Sequence, residues 1–384
     1  MVSNMEYRLG ELYEVSNGLS KSGDCFGSGY PFLSFSTVFN NYFIPEEITN
    51  LVQSTDKEQA AFSIKAGDVF ITRTSETADE LGMSCVALKD YTKATYNGFC
   101  KRLRPITSNT YPLYMGYLFR TPQFRANFTK IASLITRASL RNEDLLKFKV
   151  NLPAVEEQMR IASVLYSYDS LIQNNNKRSK LLEQMAENLY KEWFVRFRFP
   201  GYENTEFENG LPKEWEIKKV KDVVKRFPFG KLYKEADVLS EGTVIVIDQS
   251  KEPYIGFHNN EPSHTANIDT PIIIFGDHSC KFQLMITPFS LSENVVPFTA
   301  TNDIDTTYLY YLVKDLIETT EYKRHWTELM SKKILVANND IQKEFSKTIK
   351  HTLLLIESLK VQNRNLTKQR ELLLPRLMSG KLEV

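Results

Sequence analysis

Between Pro153 and Phe194 apolar side chains recur every three or four residues: Ile161, Leu165, Tyr168 and Ile172, then, past the polar Asn175 and Ser179, Leu182, Ala186, Leu189 and Trp193. That spacing keeps one face of an α-helix apolar along its length and suits a seam with a second helix. The same stretch returns from Asn339. Adding 184 to each number lands on its counterpart without a gap, so Gln158 meets Gln342, Ile161 meets Phe345, Leu165 meets Ile349, Ile172 meets Ile356, Leu182 meets Leu366, Leu189 meets Leu373 and Trp193 meets Leu377. About forty residues at ~1.5 Å each give a rod of roughly 60 Å, too long for one small core. The predicted seam is Ile161, Leu165, Ile172, Asn175, Leu182, Leu189 and Trp193 on one helix, with Phe345, Ile349, Ile356, Leu359, Asn363, Leu366, Leu373 and Leu377 on the other. Antiparallel pairing places Ile161 opposite Leu377, Trp193 opposite Phe345 and Asn175 opposite Asn363, where a polar pair would penalise slipped registers. Pro153 suits the first helical position of the first copy, Glu156 and Glu157 favour its positive end, and Asn339 or Asp340 would cap the second copy.

Ahead of each rod the pattern changes to short apolar runs. Tyr30 to Phe35, and Val69-Phe70-Ile71-Thr72 after the Gly67-Asp68 turn, read as strands. Helices are expected over Leu113 to Phe119 and Pro122 to Leu134. After the second turn-rich break, at Pro200-Gly201 and Asn209-Gly210-Leu211-Pro212, Val244 to Ile247 and Ile272 to Phe275 read as strands. Helices are then expected around Thr307 to Ile317 and from Glu318 to Leu329. The chain is therefore expected to be α+β, with two mixed α/β domains and a pair of long antiparallel helices as a tandem repeat: a first domain at 1–150, a long helix within 151–199, a linker at 200–213, a second domain at 214–335 and a second long helix within 336–384.

Charge refines this picture more than composition does. The 384 residues are ordinary for a globular protein in apolar and charged content, with a net charge of +1. No run of eighteen apolar residues appears, and MVSNMEYRLG has neither a basic region nor an apolar core. A cytoplasmic protein is expected. The four cysteines are scattered and read as reduced thiols. Net charge is +2 over 1–150, −1 over 151–213, −4 over 214–335 and +4 over 336–384. Within the first block, Tyr91 to Val150 carries eleven Lys and Arg against Glu143 and Asp144 alone, interleaved with ten Tyr and Phe. Such a segment is either a phosphate-binding face or a solvated surface over an aromatic core.

Catalytic patterns are absent. There is no Asn/Asp-Pro-Pro-aromatic signature of adenine methyltransferases, no GxxxxGK, no GxSxG and no HExxH. Phe26-Gly27-Ser28-Gly29 is a glycine-rich turn, and His258, His264, His278 and Cys280 fit no common zinc spacing.

The helix with its exit, EQMRIASVLYSYDSLIQNNNKRSKLLEQMAENLYKEWFVRFRFPGYE, and the C-terminal LLLPRLMSGKLEV resemble the two conserved regions of specificity subunits of Type I restriction-modification systems. AGDVFITRTSETADELGMS and IIIFGDHSCKFQLM are similar to segments of that family's target-recognition domains. The resemblance implies a DNA-reading subunit without an active site, one domain per half of a split target. It implies assembly with two modification subunits that bind S-adenosylmethionine and methylate adenine N6, and with restriction subunits that use ATP and magnesium. In that frame the tract at Arg73, Thr74 and Ser75 is expected to read bases, while Lys101, Arg102, Arg137 and Arg141 grip phosphate. In the second domain Lys231, Asp277, His278, Lys281, Lys332 and Lys333 are the candidates. Two other classes are compatible with the residues alone: a coiled-coil scaffold with protein-binding domains, and a free-standing nuclease or methyltransferase with an unfamiliar site.

Overall fold

The computed structural model describes residues 4–75, 81–131, 133–134, 138–139, 141–250, 252–319, 321 and 323–383. The chain is α+β and divides into two units, Met1–Asn174 with Gln362–Val384, and Asn175–Val361.

In the first unit, β1 (Met5–Arg8), α1 (Leu9–Leu12), β2 (Tyr13–Asn17), β3 (Phe26–Leu33), α2 (Phe35–Asn40), β4 (Leu51–Val52) and α3 (Asp56–Ala61) lead to β5 (Val69–Thr72). Next come β6 (Thr74–Ser75), β7 (Ser84–Val86), β8 (Thr95–Tyr96), β9 (Cys100–Pro105), α4 (Pro112–Arg120) and α5 (Pro122–Ile131). The short β10 (Ser133–Leu134) and β11 (Ala138–Ser139), which pair with each other and with β6, precede α6 (Asn142–Lys147), β12 (Lys149–Leu152) and the long α7 (Val155–Tyr190). Four antiparallel strands form the main sheet in the order β2-β9-β5-β7. Side-chain alternation splits its residues between two cores. Val69, Ile71 and Leu103 join Leu9, Tyr114 and Met115, together with Ile161 and Leu165 of α7 and Leu374 and Leu377 near the C-terminus. Phe70, Cys85 and Cys100 face Leu33, Val38 and Tyr96 on the other side. A smaller sheet runs β4-β3-β8, with β3 parallel to β8, and β1 closes antiparallel on β12.

The second unit repeats this wiring. After the hairpin of β13 (Phe207–Glu208) and β14 (Leu211–Pro212) come β15 (Glu216–Lys219), α8 (Val220–Val223), β16 (Val224–Arg226), β17 (Val244–Ile247), β18 (Gly256–His258) and β19 (Ile272–Gly276). They are followed by β20 (Phe282–Met285), β21 (Phe289–Leu291), β22 (Val295–Ala300), α9 (Thr306–Val313), α10 (Trp326–Ser331), β23 (Lys333–Val336) and the long α11 (Asn339–Met378). The main sheet is β16-β22-β19-β20, the smaller one is β18-β17-β21 with β17 parallel to β21, and β15 closes on β23. These three sheets match three in the first unit, so the repeat extends beyond the helices to the domains they carry; the β13–β14 hairpin and the β10-β11-β6 sheet have no counterpart among the described residues. The core here gathers Ile273, Phe275, Val296 and Phe298 with Ala186, Tyr190, Trp193 and Phe194 of the first long segment and Phe345 and Ile349 of α11.

Both units use the helix stripe as a core wall. In the first, Asp169 of α7 is ion-paired with Arg370 of α11. In the second, the Trp193 and Phe345 rings lie 5.9 Å apart. Asn175 is buried and Asn363 half-buried.

Several expected boundaries are corrected by non-local contacts. The first long helix begins at Val155, because Pro153 stands outside it and gives its carbonyl to the Gln158 amide at 2.9 Å. Past Tyr190 the backbone widens into a π-turn over Lys191–Val195, which buries both Trp193 and Phe194. The cap of α11 is Asn338, whose side-chain oxygen accepts from the Ile341 amide at 3.3 Å, in place of Asn339 or Asp340. The helix expected to reach Leu134 stops at Ile131 and gives way to β10. The helix expected to reach Ile317 stops at Val313, and the one expected from Glu318 starts only at Trp326.

Gln158 and Gln342 have the same task in each half. The Gln158 carbonyl oxygen accepts from the Tyr111 amide, at the N-cap of α4, and its nitrogen donates to Asn109 and Pro153 carbonyls, all at 2.9 Å. Gln342 accepts from the Asp305 amide, at the N-cap of α9, at 2.9 Å and donates to the Ala337 carbonyl at 2.7 Å. Both are buried. Each fastens its domain's helix to the first turns of a rod through backbone groups that have no other way to be satisfied once water is excluded.

Candidate nucleic-acid interface

Much of the basic segment turns inward. In β9, Lys101 and Leu103 point to one face of the sheet and Arg102 and Arg104 to the other. The Arg102 guanidinium donates to the Ser63 carbonyl at 2.7 Å and to the Ala61 carbonyl and Ser16 hydroxyl at the limit of bonding distance, and lies over the Tyr96 ring. Arg102 is therefore a fastener of the turn after α3, and the phosphate-gripping role expected of it is withdrawn. Arg104 forms a two-pronged pair with buried Asp68, at 2.7 and 2.6 Å. Arg120 donates to the carbonyls of Ser84, Val38, Phe39 and Asn41 and stacks on Tyr42. Charge counting could not reveal this, since carbonyl oxygens carry no sign in a sequence. The period-two alternation of Lys-Arg-Leu-Arg would have separated Lys101 from Arg102 had the strand been recognised.

The remaining first-domain candidates collect where β5 ends. Arg73 continues the ladder, its amide donating to the Phe99 carbonyl at 2.9 Å, and is half-buried. Thr74 and Ser75 form β6, which pairs with Ser139 and Ala138; their side chains, and Arg137 altogether, lie outside the described residues. Lys101 is only 3% exposed. Its ammonium donates to Asn17 at 3.1 Å and to Asn142, the first residue of α6. Burial, and then the Arg73 guanidinium, push its pKa down to about 8. Arg141, just before α6, is exposed.

In the second domain the strand-end groups are committed differently. One Asp277 carboxylate oxygen accepts from the amides of His325 at 3.0 Å and Trp326 at 2.9 Å, and Arg324 lies 3.8 Å from the other. Asp277 thus starts α10 from forty-eight positions away, which explains why local signals placed that helix too early. Lys281 reaches back to the carbonyls of Asp248 and Glu252, and burial depresses its pKa. It braces that loop and does not project outward. The His278 amide donates to Gln249 at 3.2 Å. Lys332 is paired with Glu328 at 3.3 Å, and Lys333 is exposed on β23.

Lys231 belongs to a cluster that sequence reasoning missed. Its ammonium lies 5.0 Å over the Tyr233 ring, and Tyr233 stacks on His258 with centroids 4.1 Å apart. His258 accepts from the Asn260 amide through Nδ1, so Nε2 carries the proton towards Ser290 at 2.8 Å. Burial, and then Lys231, keep that imidazole neutral by lowering its pKa. His264 stacks on Phe289 and faces the Phe229 carbonyl. Both rings thus have structural partners. Among the described residues no helix is long and apolar enough to cross a membrane.

Residues 1–184 match the family described as "Type I restriction modification DNA specificity domain". The type I restriction enzyme MjaIX specificity subunit of Methanocaldococcus jannaschii is 26% identical over 408 aligned positions, spanning 98% of this chain and 92% of that one. The type I restriction enzyme HindI specificity subunit of Haemophilus influenzae is 26% identical over 197 positions, 50% of this chain and 41% of that one. The crystal structure of a Type-I restriction-modification system S subunit from M. genitalium is similar in fold, with a TM-score of 0.58 at 12% identity over 98% of this chain and 96% of that one.

Proposed function

We propose that the chain is a specificity subunit of a type I restriction-modification system, as its match over residues 1–184 and its full-length relative at 26% identity support, and that it reads a bipartite DNA target with one domain per half-site without catalysing a reaction itself. The two long helices set the gap between the half-sites and seat two modification subunits. Restriction subunits complete the assembly, and S-adenosylmethionine, ATP and magnesium are bound by the partners. A partner that methylates adenine N6 must draw the base out of the duplex, and the role of this chain is to choose which adenine is presented.

The observation that carries this reading is the duplication. Two domains with the same strand order and pairing are each fastened to a long helix through a matched buried glutamine. Two readers of one design suit a target in two parts, and their different surfaces suit halves of different sequence. Co-expression with the cognate modification subunits, followed by genome-wide mapping of N6-methyladenine, tests it. The expected result is methylation confined to one split sequence with a constant gap; an undivided target, or a variable gap, would overturn the reading.

A further inference from the structure

The end of β5 holds two cations with no counter-charge among the described residues. In the register of the sheet, Lys101 stands opposite Ile71 on β5 and opposite Asn17 on β2, and Arg73 lies two residues beyond Ile71 on the same face. The ammonium is held by two neutral carbonyl oxygens, those of Asn17 and Asn142, and among the described residues its third proton meets no partner. The Arg73 Nε is buried and makes no hydrogen bond. A buried ammonium beside a guanidinium, with amides in place of carboxylates, is poorly stabilised by the fold itself.

The second domain closes the same place internally. Asp277 stands two residues beyond Phe275, as Arg73 stands beyond Ile71; one of its carboxylate oxygens is taken up by the start of α10 and Arg324 lies 3.8 Å from the other. The first domain has the opposite charge there, and no described residue neutralises it.

We propose that Lys101 and Arg73 together hold one phosphate of the DNA backbone, with Asn17 and Asn142 orienting the ammonium. This rests on the DNA-reading function above, and it moves Arg73 from reading bases to positioning the duplex. A phosphate would accept from the third ammonium proton and from the guanidinium at once, and would supply a counter-charge that no described residue provides. Exposed Arg141 stands just before Asn142, with Glu143 and Asp144 following in α6; the three cations Lys101, Arg73 and Arg141 outnumber these two carboxylates, which favours a polyanion over a single protein carboxylate. The depressed pKa of Lys101 is what a site awaiting its anion should have, and bound phosphate would raise it.

The test uses the full chain assembled with its modification subunits, duplexes of several sequences, and a salt series. R73Q should weaken binding to every duplex by roughly tenfold at low salt and make the slope of log affinity against log salt shallower by about 0.9, the value of one phosphate. K101M should do the same, and R73K should retain most of the binding. Melting curves identify folded variants; if K101M does not fold, R73Q and R73K carry the comparison. Folded variants with wild-type affinity and slope would overturn the site, as would a loss confined to one target sequence. Loss of modification-subunit assembly with DNA binding intact would assign the anion to a protein carboxylate and overturn it too. A wild-type assembly that binds no DNA would overturn the functional reading itself, and this site with it.

Discussion

At the level of single residues, buried polar side chains that satisfy backbone groups carry much of the architecture. Replacing Gln158 by Leu strands the Tyr111 amide and two carbonyls, and Gln342→Leu strands the Asp305 amide and the Ala337 carbonyl. Each change should cost roughly 3 kcal/mol, because an orphaned buried group loses its full desolvation penalty. Denaturant unfolding followed by hydrogen exchange should locate the loss in the unit that holds the altered glutamine. The buried Asp169 pair with Arg370, joined by the Tyr117 hydroxyl, makes a second case. Asp169→Asn should cost about 3–5 kcal/mol, because Arg370 keeps its charge in a dry site. At the matched positions of the other half stand Leu353 and Ala186, an apolar solution to the same packing problem. The triple change D169L/R370A/Y117F should therefore recover most of that loss in the same unfolding experiment; a triple variant less stable than D169N would mean the ion pair is net stabilising.

At the level of elements, Phe345 is the side chain on which the second core closes, touching the rings of Tyr190, Trp193, Phe194 and Tyr311. Phe345→Ala should destabilise that unit by about 3–5 kcal/mol, measured from its melting transition. This long stripe was legible in the sequence because a helix repeats its own period, and the repeat doubled the signal. Continuous apolar runs such as Val69 to Ile71 and Ile272 to Phe275 were legible for a different reason, since a strand buried on both faces needs no alternation. Helix ends were less so. The start of α10 depends on Asp277, and the first turn of α7 on how Gln158 uses the Pro153 carbonyl, so neither is encoded where it appears. The candidate interface was less legible. Basic residues drew attention to Tyr91–Val150, yet Arg102, Arg104 and Arg120 are held by carbonyls and a carboxylate, and Lys101 was distinguished from Arg102 only by the strand that separates their faces.

At the level of the whole molecule, the repeat makes two kinds of change separable. Four residues inserted near Asn175 in one helix alone should disrupt pairing, whereas matched insertions in both should lengthen the rod by ~6 Å. About two base pairs at ~3.4 Å each fit that length, so the matched variant should methylate the same half-sites across a wider gap. An unchanged gap would show that the helices do not set it. Domain identity should act independently of spacing. The most direct measurement is therefore the N6-methyladenine map of cells carrying a chain whose residues 1–150 are replaced by the corresponding domain of another specificity subunit, with the modification subunits unchanged. If each domain reads its own half, one half of the methylated sequence changes while the other half and the gap stay as they were. If both halves change, or neither does, the two domains are not independent readers of a split target.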